Sequence, residues 1–330
     1  MQSRRTRRLE IVGTAVAAVV ALVVALNLVG VPVRPPFWPG GAQGSNPFDA
    51  AAVHVDPQSQ AARAAASAAG DDARILGRLA ATPTAVWLTP EATPVGVVEE
   101  HVRRIAVQAR DEDSVALFVL YGIADRDCSG QESAGGLPPD QYRDWVQAAA
   151  DGADGIGTSA VVVEPDALAD AGECADPDER IALLEDAVTS FVDADVTTYL
   201  DAGHSGWVAP EEMAGRLEQA GVEDARGFST NVSFYADDAT ERAYADAVAD
   251  ALGGGHYVID TGRNGNGSDG QWCNPPGRAL GRAPSVGDGR LDAHLWIKPP
   301  GESDGSCGGG PAAGTWWTER ALELARAAGW

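Results

Sequence analysis

Seven short runs of β-branched and apolar residues recur along the chain, and an amphipathic stretch separates most neighbouring pairs. This alternation constrains the fold more than any other feature. The runs cover residues 84–88, 114–123, 159–165, 196–200, 227–232, 256–259 and 291–297. Several are apolar throughout, which is the pattern of strands buried on both faces. Helical periodicity covers 95–110, 140–150, 178–192, 211–220, 240–252 and 315–328. Two of these helices have strong start signals: Pro177 before Asp178 and Glu179, and Pro210 before Glu211 and Glu212. Proline fits the first helical turn, and acids suit its positive dipole end. Strand and helix in alternation predict a parallel sheet with helices outside. Seven strands predict an α/β fold of the distorted seven-stranded parallel β/α barrel type, with an open doubly wound sheet as the alternative.

Reactive groups in such folds project from the carboxyl ends of the strands. The second run leads into Asp125, Arg126, Asp127 and Cys128, and the third into Asp166. The fourth leads into Asp201, His204, Ser205 and Trp207, and the fifth ends with Asn231. The sixth leads into Asp260, Arg263 and Asn264, and the seventh into Lys298, Glu302 and Asp304. One Asp after a strand reads as a helix cap, but six strand ends loaded this way define an active face. Lys298 is the only lysine in the chain, and it stands beside two acids. Arginine replaces lysine poorly where a compact ammonium is needed.

The chemistry open to these residues is narrow. The chain has no GxSxG elbow, no P-loop and no dinucleotide glycine motif between strand and helix. The Asn264–Gly267 run reads as a tight turn. No CxxC or Cys/His spacing supports zinc, so neither metal nor cofactor is expected. Carboxylates and tryptophans remain. Glycoside hydrolysis needs an acid for the leaving oxygen, a second carboxylate, and ring faces to hold sugars.

A net charge of −24 argues against nucleic acid and anionic lipid as partners. The four cysteines, Cys128, Cys174, Cys273 and Cys307, allow three pairings. Arg4, Arg5, Arg7 and Arg8 precede an uncharged stretch at 11–33. About 20 apolar residues span a bilayer, and flanking arginines favour the inner side. Residues 1–33 are therefore expected as a transmembrane signal anchor, with a cleaved signal peptide as the alternative. Either makes the rest extracytoplasmic, membrane-anchored or secreted, where disulfides persist. Residues 34–46 read as a Pro/Gly linker, and 47–330 as one catalytic domain, expected to be a monomer.

Five ordered motifs carry a resemblance. They are YGIADRDCSGQESAGG (121–136), VVVEPDALA (161–169), YLDAGHSGW (199–207), QWCNPPGRALG (271–281) and WIKPPGESDGSC (296–307). With NPF at 46–48 and VDP at 55–57, this set resembles glycoside hydrolase family 6, the cellulase family of inverting endoglucanases and cellobiohydrolases. The resemblance implies a distorted barrel of seven parallel strands and β-1,4-glucan as substrate. It implies Asp166 as general acid, with Asp127 helping to keep it protonated. Asp304 would be the base, acting through water, with Ser133 holding the nucleophilic water and Tyr121 beneath the sugar at the cleaved bond. His204, Trp207, Asn231, Trp272, Lys298 and Glu302 would line sugar subsites. Trp87, at the end of the first run, adds a stacking platform. Trp145, Trp316 and Trp317 lie on helical patterns and read as packing residues. The implied disulfides are Cys128–Cys174 and Cys273–Cys307.

Two positions depart from the family pattern: Ala124 replaces a common proline, and Phe234 a more typical polar residue. Neither touches the carboxylates. Only 39 residues separate Asp127 from Asp166, without an insertion that could roof the site. An open cleft and internal cleavage are therefore expected, with a cellobiohydrolase as the alternative. Two further alternatives are a noncatalytic β-glucan-binding protein and a metal-dependent hydrolase using Asp127, His204 and Asp260.

Overall fold

Spatial strand order follows chain order almost without exception. The computed structural model describes residues 41–128 and 132–330. The N-terminal arginines, the apolar stretch at 11–33 and residues 34–40 of the expected linker lie outside the described residues. The strands are β1 (Val86–Leu88), β2 (Ala116–Leu120), β3 (Ser159–Val163), β4 (Thr197–Asp201), β5 (Gly227–Thr230), β6 (His256–Asp260), β7 (Ser285–Val286) and β8 (Leu291–Leu295). They form one sheet in the order β1-β2-β3-β4-β5-β6-β8-β7. Each neighbouring pair is parallel except β7 with β8. Among the parallel strands the order never reverses, so the sheet curls instead of winding both ways from a switch point. This is the expected distorted barrel, with a seam between β1 and β8. Two hydrogen bonds cross the seam: Ala85 N–H to the Trp296 carbonyl at 3.0 Å, and Trp87 Nε1–H to the Ile297 carbonyl at 2.9 Å.

Burial explains the apolar strands. Every residue of β2, β3 and β4 is buried, since the barrel interior takes one face and the helices cover the other. Val119, Val162, Val258 and Leu295 pack inside with Phe48 and Tyr199. The helices are α1 (Gln60–Ser67), α2 (Gly70–Ala80), α3 (Val95–Asp111), α4 (Pro139–Ala153), α5 (Pro177–Asp193), α6 (Pro210–Gln219), α7 (Asp238–Ala251) and α8 (Thr318–Ala327).

Four local differences from the sequence reading have physical causes. Two helices, α1 and α2, precede the first strand: α1 is mostly alanine and has no fully buried residue, whereas the short α2 seats Ile75, Leu76 and Leu79 as a stripe against Trp296 and α8. The last helix begins at Thr318, later than expected, because Trp317 is extended (φ −126°, ψ 95°) and the arm before it folds back on the structure. Trp316 N–H donates to Gln60 Oε1 and Trp317 N–H to the Gly301 carbonyl. Strand β7 has only two residues, both exposed, and gives no pattern to read. Part of the expected linker is docked: Gly41–Gly44 form a 3₁₀ turn. There the buried Gln43 side chain donates to the Val196 carbonyl at 2.7 Å and accepts from Thr198 N–H at 2.9 Å. Of the three tryptophans read as packing residues, Trp145 is fully buried and donates to the Thr93 carbonyl at 2.6 Å.

Candidate active site

The strand ends open into a groove of about 830 Å³, and Asp166 is one of its lining residues. Its placement begins with the backbone after β3. Glu164 and Asp166 both adopt positive φ, 47° and 72°. Such left-handed geometry costs on the order of 1–3 kcal/mol per non-glycine residue. Between them the chain turns the Glu164 side chain into the core and leaves Asp166 partly open to the groove. Asp201, at the end of β4, holds this turn. Its Oδ2 accepts from the N–H groups of Asp166 and Gly203, each at 2.9 Å, and its Oδ1 accepts from Ser229 Oγ–H at 2.8 Å.

Burial raises the pKa of Asp166 well above the usual carboxylate range, and the charges of Asp201, Asp170, Asp127 and Asp304 push it in the same direction. Both effects favour the protonated form, the one a general acid needs. Beside it, Asp127 Oδ2 accepts from Ser133 N–H at 3.0 Å, and Ser133 Oγ lies 2.9 Å from the Tyr121 hydroxyl. Burial pushes the Tyr121 phenol pKa up, and an ionised Asp166 would push it further in the same direction. Arg126 supports the loop by donating to the carbonyls of Tyr121 and Ser133, each at 2.9 Å, and by pairing with Glu91 at 2.8 Å.

Asp304 lies across the groove in a dense donor set. Arg263 Nη1 reaches its Oδ1 at 2.8 Å, and Oδ2 accepts from the Tyr235 hydroxyl at 2.9 Å and Asn274 N–H at 3.0 Å. Asn274 Oδ1 in turn accepts from Asp304 N–H at 3.0 Å. A carboxylate so held is fixed in place. Cys128–Cys174 and Cys273–Cys307 are both bonded, with Cα separations of 5.2 and 6.1 Å. These bridges pin the loops carrying Asp127 and Asp304, each worth about 3–4 kcal/mol in a chain-entropy account.

The groove also brings Trp87, Trp272, Lys298 and Glu302 together. Lys298 Nζ is 3.4 Å from Glu302 Oε2 and 4.7 Å above the Trp87 ring. Lys298 is buried and Glu302 largely shielded, unlike exposed ion pairs of negligible value. Trp272 and Trp207 are among the large apolar side chains left exposed, at 43% and 40%. Ring faces left in water at a strand-end surface suit sugar stacking. His204 stacks on Phe234 with centroids 3.5 Å apart and lies 5.1 Å from Trp207. Burial lowers its pKa, leaving a neutral ring. The Phe234 departure thus has a use as the platform for His204.

Asn231 requires correction. It is fully buried, and its side chain donates to the carbonyls of Ala236 and Asp260 and accepts from Ala236 N–H. With its hydrogen bonds directed inward, it shapes the loop beneath the groove and does not face sugar. The constellation Asp127, His204 and Asp260 is likewise not assembled: among the described residues no group of three metal-binding side chains converges. Asp260 instead accepts from the N–H groups of Gly262 and Lys298, each at 2.9 Å.

The sequence reading did not single out Glu164, which accepts from Gly122 N–H at 2.9 and 3.0 Å. Burial pushes its pKa up to about 7, against an ordinary 4.5. Between those values the folded protein keeps a proton that the unfolded chain has released, so stability falls as pH rises through this window. The contribution is about 3 kcal/mol. Glu164→Gln should therefore lose less stability than wild type between pH 5 and 8, measured by urea midpoints. Equal losses in the two proteins would contradict this.

A carboxyl with a raised pKa, a second anchored carboxylate and the exposed Trp272 indole around one groove are what a glycoside hydrolase of the α/β class requires. The model for "Glycosyl hydrolases family 6" matches residues 48–328, and the chain belongs to that family. It is 43% identical over 286 residues to Endoglucanase A of Cellulomonas fimi, a match covering 86% of this chain and 63% of that protein. It thus spans under two thirds of that relative. Endoglucanase 1 of Streptomyces halstedii is 39% identical over 286 residues, covering 82% of this chain and 87% of the relative. Among solved structures, the endoglucanase Cel6 from Mycobacterium tuberculosis, in complex with methyl-cellobiosyl-4-deoxy-4-thio-β-D-cellobioside, superposes with a TM-score of 0.82. It is 41% identical, and the match covers 87% of this chain and all of that one.

Proposed function

We propose that this chain is an inverting endo-β-1,4-glucanase acting on cellulose or related β-glucans. The observation that carries the reading is Asp166 lining one groove with the anchored carboxylate of Asp304, among carboxylates that push its pKa up. Asp166 gives its proton to the glycosidic oxygen as the C–O bond breaks. A water, oriented by Ser133 and Tyr121, attacks the anomeric carbon from the opposite face, and its proton passes through water to Asp304. Asp127 and Asp201 disfavour ionisation of Asp166 before the substrate arrives. Trp87, Trp272, Lys298 and Glu302 hold the glucan in the groove, with Trp207 and His204 extending the surface past β4. The exposed Trp207 and Trp272 support an unroofed cleft, and the endoglucanase relatives support internal cleavage over processive release. The two disulfides support an extracytoplasmic site of action. No helix among the described residues is long and apolar enough to cross a membrane; the apolar stretch at 11–33 is the proposed anchor.

Internal cleavage makes a direct test. The protein should lower the viscosity of carboxymethylcellulose steeply while few reducing ends appear. Release of cellobiose with viscosity nearly unchanged would identify a cellobiohydrolase instead.

A further inference from the structure

Gln60 is the first residue of α1, and its amide reaches across to the segment that follows β8. Nε2 donates to Glu302 Oε1 at 2.8 Å and to the Gly314 carbonyl at 2.9 Å. Oε1 accepts from Trp316 N–H at 3.1 Å. All three bonds end on one arm, which folds back on itself. Within the arm, Ser303 N–H donates to the Thr315 carbonyl, Gly314 N–H to the Ser303 carbonyl, and Trp317 N–H to the Gly301 carbonyl. Helix α1 buries no residue fully, so the Gln60 amide is a principal tie between it and the arm.

We infer that Gln60 is a positioning residue for sugar binding: it fixes the Glu302 carboxylate so that Glu302 and Lys298 together address glucan hydroxyls beside Trp87. The contacts are continuous. Gln60 holds one Glu302 oxygen, Lys298 sits 3.4 Å from the other, and Lys298 lies 4.7 Å over the Trp87 ring. A buried glutamate has several rotamers and needs donors on both oxygens. Gln60 supplies the donor that Lys298 cannot reach, and removes the freedom that sugar binding would otherwise have to remove. The inference rests on reading the groove as glucan-binding.

The electrostatics give a readout that simple loosening would not. Burial pushes the Glu302 pKa up, while the Lys298 charge and the Gln60 hydrogen bond pull it back, with a smaller effect from Arg263. Asp304 is the carboxylate two residues further on. Without the Gln60 donor, Glu302 takes a proton at higher pH and loses its hold on Lys298.

The test compares wild type, Gln60→Ala and Gln60→Glu on cellopentaose across pH 4–9. For Gln60→Ala, KM should rise about threefold to tenfold with kcat within twofold, and the acid limb of kcat/KM should move to higher pH. For Gln60→Glu, two carboxylates meet at hydrogen-bond distance. Its KM should stay near wild type in acid, where one is protonated, and climb as pH rises. Gln60→Glu decides the matter if Gln60→Ala fails to fold. Wild-type KM values and pH profiles in both variants, or a fall in kcat at unchanged KM, would overturn the inference alone. A wild-type protein inactive on β-1,4-glucans would refute the parent reading and this inference with it.

Discussion

Asp166→Asn should lower kcat on β-1,4-glucan about 10³-fold, within the 10²–10⁴ that a positioned general acid contributes. The amide keeps the size of the side chain but has no proton acidic enough for a departing sugar oxygen. The turn should survive, because Asp201 accepts from the Asp166 backbone N–H, which the substitution keeps. Affinity for cellotetraose should stay within about twofold, since the lost interaction belongs to the transition state. Leaving-group chemistry sharpens the test. A 2,4-dinitrophenyl cellobioside departs without protonation, so the variant should retain most of its activity on it. A loss of equal size on both substrates would show that Asp166 does something other than donate a proton.

Asp304→Ala should cost both activity and stability. Arg263 is 2% exposed, and Asp304 is its buried ionic partner at 2.8 Å. Removing one member of such a pair leaves an uncompensated charge in the interior, at about 3–5 kcal/mol. The Tyr235 hydroxyl and the Asn274 N–H lose their acceptor in the same step. Activity should fall by about 10²–10⁴-fold if Asp304 receives the proton of the water. The two effects can be separated. In Asp304→Ala/Arg263→Met the buried charge is gone, so the urea midpoint should recover part of the loss while kcat/KM stays low. Activity that recovers together with stability would reduce Asp304 to a structural anchor.

The sheet was legible because strands buried on both faces must be apolar throughout, and the runs that became β2 and β3 have this pattern. The seam was not legible, because nothing in the residues of β1 or β8 records that two hydrogen bonds stand in for a ladder. Helix α1 is mostly alanine and buries nothing fully, so periodicity had no signal to detect. Within the site, Asp166 could be found from its place after an apolar strand. The role of Asp201 could not, since it accepts from a backbone N–H 35 residues away in sequence. Asn231 shows the opposite failure. Its motif marks it as polar at a strand end, and only the fold reveals that its amide is occupied by Ala236 and Asp260.

In the proposed reaction water attacks the anomeric carbon directly, with Asp166 as acid and no glycosyl-enzyme intermediate. Proton NMR of the first products from a short cello-oligosaccharide, recorded before mutarotation, tests this most directly. The account predicts the α-anomer at the newly formed reducing end, growing in before the β-anomer. A first product in the β configuration would contradict it.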